Sequence, residues 1–298
     1  MRDRPSACQL TLVLTVGIAA VSTSAILVRL ATAAAGAHGI GFSLVLSASR
    51  LLLAALMLLP AWRSVHRNQP TSAAWRYAGA SGIALALHFV TWISSLSYTS
   101  IAASTTLVTT NPVWVALLSW LWFGEQPRQR TLVGISIALS GGILIGLSDT
   151  SSTSPGSQPL LGNGLALAGA WTFSLYFLMA REAQRQGLGV GSYSAISYST
   201  AAIALLPLPL LTGASYVGYS PLVYGYILLT ALLPQLIGHT SFNWAVRWVS
   251  PTLIALVILL EPVLSSLLGY IIFAEVPGLT VLIGALVLLT GVAIAVLA

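Results

Sequence analysis

Two stretches decide the fold: Asn111-Pro112-Val113 … Phe123-Gly124-Glu125-Gln126-Pro127 … Gly134 … Gly141, and Glu261-Pro262-Val263 … Phe273-Ala274-Glu275-Val276-Pro277 … Gly284 … Gly291. They lie 150 residues apart and superimpose without a gap. About a dozen identities fall in a window of about 46 residues, the mark of a duplicated unit. Around them the chain is a series of apolar segments of the ~20-residue length that crosses a hydrocarbon core. These spans 1 to 10 run over about 9–31, 42–59, 75–96, 100–123, 131–148, 160–180, 192–211, 221–246, 251–273 and 279–297. Five fall in each unit. An odd number of crossings leaves the chain on the far side of the membrane, so the second unit stands upside down relative to the first. The expected fold is an all-α polytopic membrane protein, with ten transmembrane helices in two inverted five-helix repeats around a central cavity. The first repeat covers 1–148, an external Ser/Pro-rich linker covers 149–159, and the second repeat covers 160–298.

Composition points the same way. The 298 residues are 57% hydrophobic and 6% charged, with a mean hydropathy of +0.91, whereas soluble domains are about a quarter charged. So much apolar surface needs lipid as its solvent. The net charge of +6 does not mark a nucleic-acid partner, because all twelve basic residues are arginines set near span ends. With the N-terminus in the cytoplasm, Arg2, Arg4, Arg63, Arg67, Arg76, Arg128, Arg130, Arg181, Arg185 and Arg247 all fall on the cytoplasmic side. Only Arg29 and Arg50 do not. This asymmetry predicts both termini inside, at a bacterial inner (plasma) membrane. Met1 to about Ala25 also resembles a secretory signal, but its removal would leave nine spans and no partner for span 6. Cys8 is the only cysteine, which excludes an internal disulfide or a thiolate metal site. No cofactor is expected, and no GxxxxGK[ST] string offers a nucleotide site.

Spans 5 and 10 carry glycines seven residues apart, Gly134/Gly141 and Gly284/Gly291, and Gly142 and Gly146 add a GxxxG. Such faces let helices approach closely, either between the repeats or in a weak homodimer. Tyr98 and Trp248 occupy equivalent hairpin ends and read as interfacial anchors.

Polar residues inside a bilayer are few and usually functional. Span 3 holds His88 and Trp92 on one face, with Ser95 a turn further. Span 8 places Gln235, His239 and Asn243 four apart. Span 4 carries Ser104, Thr105, Thr109, Thr110 and Asn111; span 6 carries Trp171, Ser174 and Tyr176; span 2 carries Arg50. Glu261 in span 9 is the only acid within a span. Pro112 and Pro262 fall at matched positions and deprive the carbonyls of Val108 and Ile258 of their usual partners. Interruptions at corresponding places in two repeats point to a transporter's binding site. The candidate substrate-binding set is therefore His88, Trp92, Asn111, Trp171, His239, Asn243 and Glu261, with Pro112 and Pro262 as gating kinks. Glu261 would meet a substrate amino group or carry a coupling proton; the competing reading is a salt bridge to Arg50 or local hydrogen bonding. The histidines could instead be interhelical glue, and Arg50 a pin on backbone carbonyls. Trp114 joins Trp92 and Trp171 as a possible aromatic wall.

No catalytic residue and no metal site are expected. Gly79-Ala80-Ser81-Gly82 matches the GxSG string of intramembrane serine proteases, with His88 or His239 as an imaginable base, but so short a string recurs readily among 26 glycines. A channel lacks a charged ring or filter-like loop.

The repeat ends, with Pro112, Phe123-Gly124-Glu125-Gln126-Pro127, Gly134 and Gly141 answered by Pro262, Phe273-Ala274-Glu275-Val276-Pro277, Gly284 and Gly291, together with Arg50 in span 2, resemble the drug/metabolite transporter superfamily, in its EamA-type exporter branch. The resemblance covers the whole chain. It implies a cavity between two four-helix groups, with spans 5 and 10 set apart, and export of small metabolites by alternating access. Within the branch the chain is most similar to bacterial exporters of aromatic and neutral amino acids. An amino acid or similar amphipathic metabolite is the expected partner, besides the lipid bilayer, and a multidrug efflux carrier is the alternative.

Overall fold

The computed structural model describes residues 5–37, 39–124, 126–148, 158–245, 248–249, 254 and 257–297. Among these every regular element is a helix. Glu125, Arg2, Arg4, Arg247 and most of the linker expected at 149–159 lie outside the described residues.

Seven helical segments are long and apolar enough to cross a bilayer: Ala7–Ala35, Ile40–Met57, Ser72–Ser95, Ile101–Trp122, Pro159–Arg185, Val190–Leu211 and Pro221–Ala245. Three shorter apolar helices, Gln129–Ile145, Leu260–Phe273 and Leu279–Ala295, complete the ten spans. A short helix not expected from sequence, Trp62–Asn68, follows span 2 and carries Arg63, His66 and Arg67. Its Trp62 ring meets Trp75 at 6.0 Å, and Val65 is buried beneath it.

Across the two repeats, span 1 packs on span 8, span 3 on span 6, span 2 on span 7, span 4 on span 9 and span 5 on span 10. Exchanging each span with its counterpart five later maps this set onto itself, so the two repeats are related by a pseudo-twofold axis. The sense of the axis is read from the glycines. A Cβ at Gly134 would strike the backbone of Ala295, and one at Gly141 the backbone of Leu288. Advancing along span 5 thus means retreating along span 10: equivalent helices run antiparallel, and the repeats are inverted. The close approach also decides between the two expected roles of these faces. The seam lies within the chain, between the repeats.

Three spans are broken near mid-membrane. Span 4 stops at Val108 and restarts at Asn111, leaving Thr109 and Thr110 between. Their hydroxyls turn back onto the carbonyls of Thr106 and Leu107 (2.9 and 2.7 Å). Span 9 has its turn at Leu259, 150 residues after Thr109, and resumes as Leu260–Phe273. Pro112 and Pro262 therefore sit in the first turn of a new helix, where the missing N–H is no loss, rather than inside a kinked one. Span 1 breaks at Thr23, between Ala7–Ser22 and Ser24–Ala35. There Ser22 and Thr23 bond back to the carbonyls of Ile18 and Ala20 (2.8 and 2.7 Å), a known cause of helix bending. Ser265 of span 9 bonds to the carbonyl of Ser22 at 3.0 Å. Span 8 winds as a π-helix over Ala231–His239, and this wider turn accommodates Pro234.

Candidate functional site

The breaks in spans 1, 4 and 9 meet at one cavity between the repeats. Its wall is built from Val21 and Ser24 of span 1, His88 and Trp92 of span 3, and Val108, Thr109 and Asn111 of span 4. The second repeat adds Phe173 of span 6, His239 and Phe242 of span 8, and Ile258 and Glu261 of span 9. The volume is about 40 Å³, room for about three waters.

Five of the seven expected residues converge here. Asn111 and Glu261 face it from equivalent first turns, where helix N-terminal N–H groups gather. Glu261 is 8% exposed, and among the described residues its carboxyl makes no hydrogen bond or ion pair. The alternative salt bridge to Arg50 is not formed. His88 donates from Nδ1 to the carbonyl of Gly169 (2.9 Å). A carbonyl can only accept, so Nδ1 carries a proton, and in the neutral form of the ring Nε2 is left as an acceptor. The His88 and Trp92 rings lie parallel, with centroids 6.0 Å apart. Phe173 lies 4.8 Å from His88 and 5.7 Å from His239. The indole Nε1 of Trp92 is buried without an acceptor. The site therefore combines aromatic walls, a carboxyl, an amide and two imidazoles.

Two expected residues stand elsewhere. Trp171 is 44% exposed on the outer face of span 6, because Ala170, Phe173 and Ser174 take the inner face. Asn243 is buried, but it donates to the hydroxyl of Tyr176 (2.9 Å) rather than facing the cavity. Trp114 donates to Thr110 (3.1 Å) and lines a separate, mostly apolar cavity of about 370 Å³ beside spans 5 and 6.

Two sets of contacts join the repeats on either side of the site. At one end Glu275 pairs with Arg29 (3.2 Å) and accepts the N–H of Ile101 (2.7 Å), capping the first helix of span 4. Arg29 also donates to the carbonyl of Thr99 (2.5 Å). One carboxylate thus joins span 9 to spans 1 and 4 of the other repeat. At the opposite end Tyr176, Tyr193 and Tyr198 are fully buried. Ser81 and Tyr193 share a 2.6 Å hydrogen bond, and Ser81 donates to the carbonyl of Tyr176 (3.1 Å). Ser81 is thereby committed to structure, and His88 is committed to Gly169, so the GxSG string has no nucleophile and base in reach of each other.

Comparison with known proteins agrees with this architecture. The model of the EamA-like transporter family matches residues 10–147 and again 160–297, one match for each repeat. The chain belongs to the EamA-like transporter family. As an EamA-like protein of the drug/metabolite transporter superfamily it is a multi-pass membrane transporter and not an enzyme. It is similar to two uncharacterized transporters of Archaeoglobus fulgidus. One is 27% identical over 218 residues, covering 70% of this chain and 72% of the relative. The other is 23% identical over 249 residues, covering 82% and 84%. A solved crystal structure, 21% identical, covers 98% of both chains with a TM-score of 0.61, and shows the same fold.

Sequence reasoning missed several groups of this EamA-like site. Ser24 belongs to a break that no proline announces. Phe173 and Phe242 are apolar, and in a chain whose exterior is also apolar no hydrophobic pattern marks them as inward. The latch of Arg29 and Glu275 had a signal: Arg29 was one of two arginines that broke the charge asymmetry.

Proposed function

We propose that this chain is a secondary transporter of the bacterial inner membrane that exports small amphoteric metabolites, most favourably aromatic and neutral amino acids, by alternating access. The observation that carries this reading is the convergence of two broken helices, one from each repeat, on a cavity holding Glu261, Asn111, His88, His239 and Trp92. Freed helix ends and a few polar groups among aromatic walls suit a ligand with charged ends and an apolar side chain. Glu261 contacts the substrate amino group or carries a coupling proton. With both termini in the cytoplasm, the Glu275 latch lies on the external side and the tyrosine cluster on the cytoplasmic side. Transport then alternates the release of one with the release of the other.

The test is a substrate panel with purified protein in liposomes at two pH values. Saturable exchange of labelled phenylalanine or tryptophan is the expected result. Flux of amphipathic drugs without amino-acid exchange would move the assignment to a multidrug carrier. Unsaturable conductance would contradict a carrier altogether.

A further inference from the structure

Behind the cavity wall lies a buried cation that makes no ion pair, with Glu261 acting on it only from a distance. Arg50 of span 2 is 1% exposed, and its guanidinium stands 4.1 Å over the ring of Phe89. Nε donates to Gln235 Oε1 (3.0 Å) and Nη1 donates to Ser24 Oγ (2.8 Å). Nη2 donates to nothing. The ion pairs among the described residues are Arg29 with Glu275 and Arg185 with Glu182, so no carboxylate reaches Arg50. Gln235 and Tyr198, whose side chains lie beside each other, complete the surroundings of the guanidinium. Spans 2, 7 and 8 thus hold a buried cation with one unfilled donor edge and supply no carboxylate within ion-pair distance among the described residues. An unpaired cation there is strongly unfavourable, and such residues mark substrate paths.

We propose that Arg50 receives the carboxylate of the transported molecule, so that the site has an anion-binding pole at Arg50 and a cation-binding pole at Glu261. This rests on the transporter reading above and narrows its substrate class. Ser24 connects the two regions: its hydroxyl accepts from Arg50 and the residue lines the cavity, so the guanidinium is one side chain behind the wall. Span 1 is broken at Thr23, next to that hydroxyl, which lets the wall move there without breaking a continuous helix. The charge count selects the ligand. One guanidinium and one carboxyl are each matched by a zwitterion, which brings no net charge into the membrane. A plain amine leaves Arg50 unmatched, and a phosphate dianion overloads a single cation. The free Nη2 edge suits a planar carboxylate.

The test uses the full chain in liposomes. Phenylalanine, phenylalaninamide and phenethylamine compete for exchange of labelled phenylalanine. Phenylalanine should compete at least about tenfold better than either analogue. Arg50→Gln should lose that preference, and Arg50→Lys should keep part of it. Equal competition by acid and amide in the unmodified protein overturns the proposal and leaves the transporter reading intact, with Arg50 a helix pin. An undiminished preference in folded R50Q overturns it equally. If no amino acid is exchanged, the substrate reading fails, and thermal unfolding in detergent then decides. Stabilisation by benzoate over benzamide that R50K weakens supports the anion pole, whereas equal effects of the two probes overturn it.

Discussion

Glu261 and Asn111 hold the same place in the two repeats, each in the first turn after a helix break, yet one is acidic and the other neutral. The backbone is symmetric there and the chemistry is not. Glu261→Gln removes the one ionisable oxygen of the site and keeps its shape. Exchange is expected to fall at least about tenfold, with its pH dependence flattened, in liposome assays at two pH values. Normal exchange at every pH would remove Glu261 from the mechanism. Glu275→Gln breaks the ion pair to Arg29 and weakens the cap on Ile101. A loss of about 1–2 kcal/mol of latch stability is expected. It is read as faster labelling of a cysteine placed at Ala102, in a Cys8→Ser background. Most polar members of the site were legible because lipid makes each buried polar group conspicuous. Trp171 was not, since a tryptophan satisfies lipid and cavity alike and only helical phase separates them.

The helices and the glycine seam were legible for a related reason: ten apolar runs and a repeat register are properties of the sequence itself. The positions of the breaks in spans 4 and 9 followed from proline, although proline begins the new helix instead of bending the old one. The break in span 1 and the π-turn of span 8 left a weaker trace. The first rests on serine and threonine hydroxyls that could equally have bonded within an unbroken helix, and the second on an i→i+5 pattern that no single residue type announces. The seam gives a clean test. Gly141→Ala drives a Cβ into the backbone of Leu288, whereas Gly79→Ala meets nothing within 4 Å. The first should destabilise by about 2 kcal/mol and the second by less than about 0.5 kcal/mol, measured by thermal unfolding in detergent. Equal behaviour would contradict the close approach of spans 5 and 10. Because Gly79 belongs to the GxSG string, the second variant should also leave transport unchanged.

Taken whole, the molecule is two inverted bundles that leave a small cavity where their broken helices meet, with Arg29, Glu275 and the start of span 4 joined on one side of it and buried tyrosines on the other. Neither set of pairings is visible in the sequence, since each joins residues far apart in the chain, although Arg29 stands out there by breaking the charge asymmetry. Alternating access requires that the cavity wall be reached from one side and then the other, and that substrate shield it. A single cysteine at Val108, on that wall, in a Cys8→Ser background reports both. Small charged thiol reagents applied from outside or inside sealed vesicles should each modify it, and a transported amino acid should slow both reactions several-fold. Modification from neither side, or at rates that substrate leaves unchanged, would contradict a substrate site between the repeats.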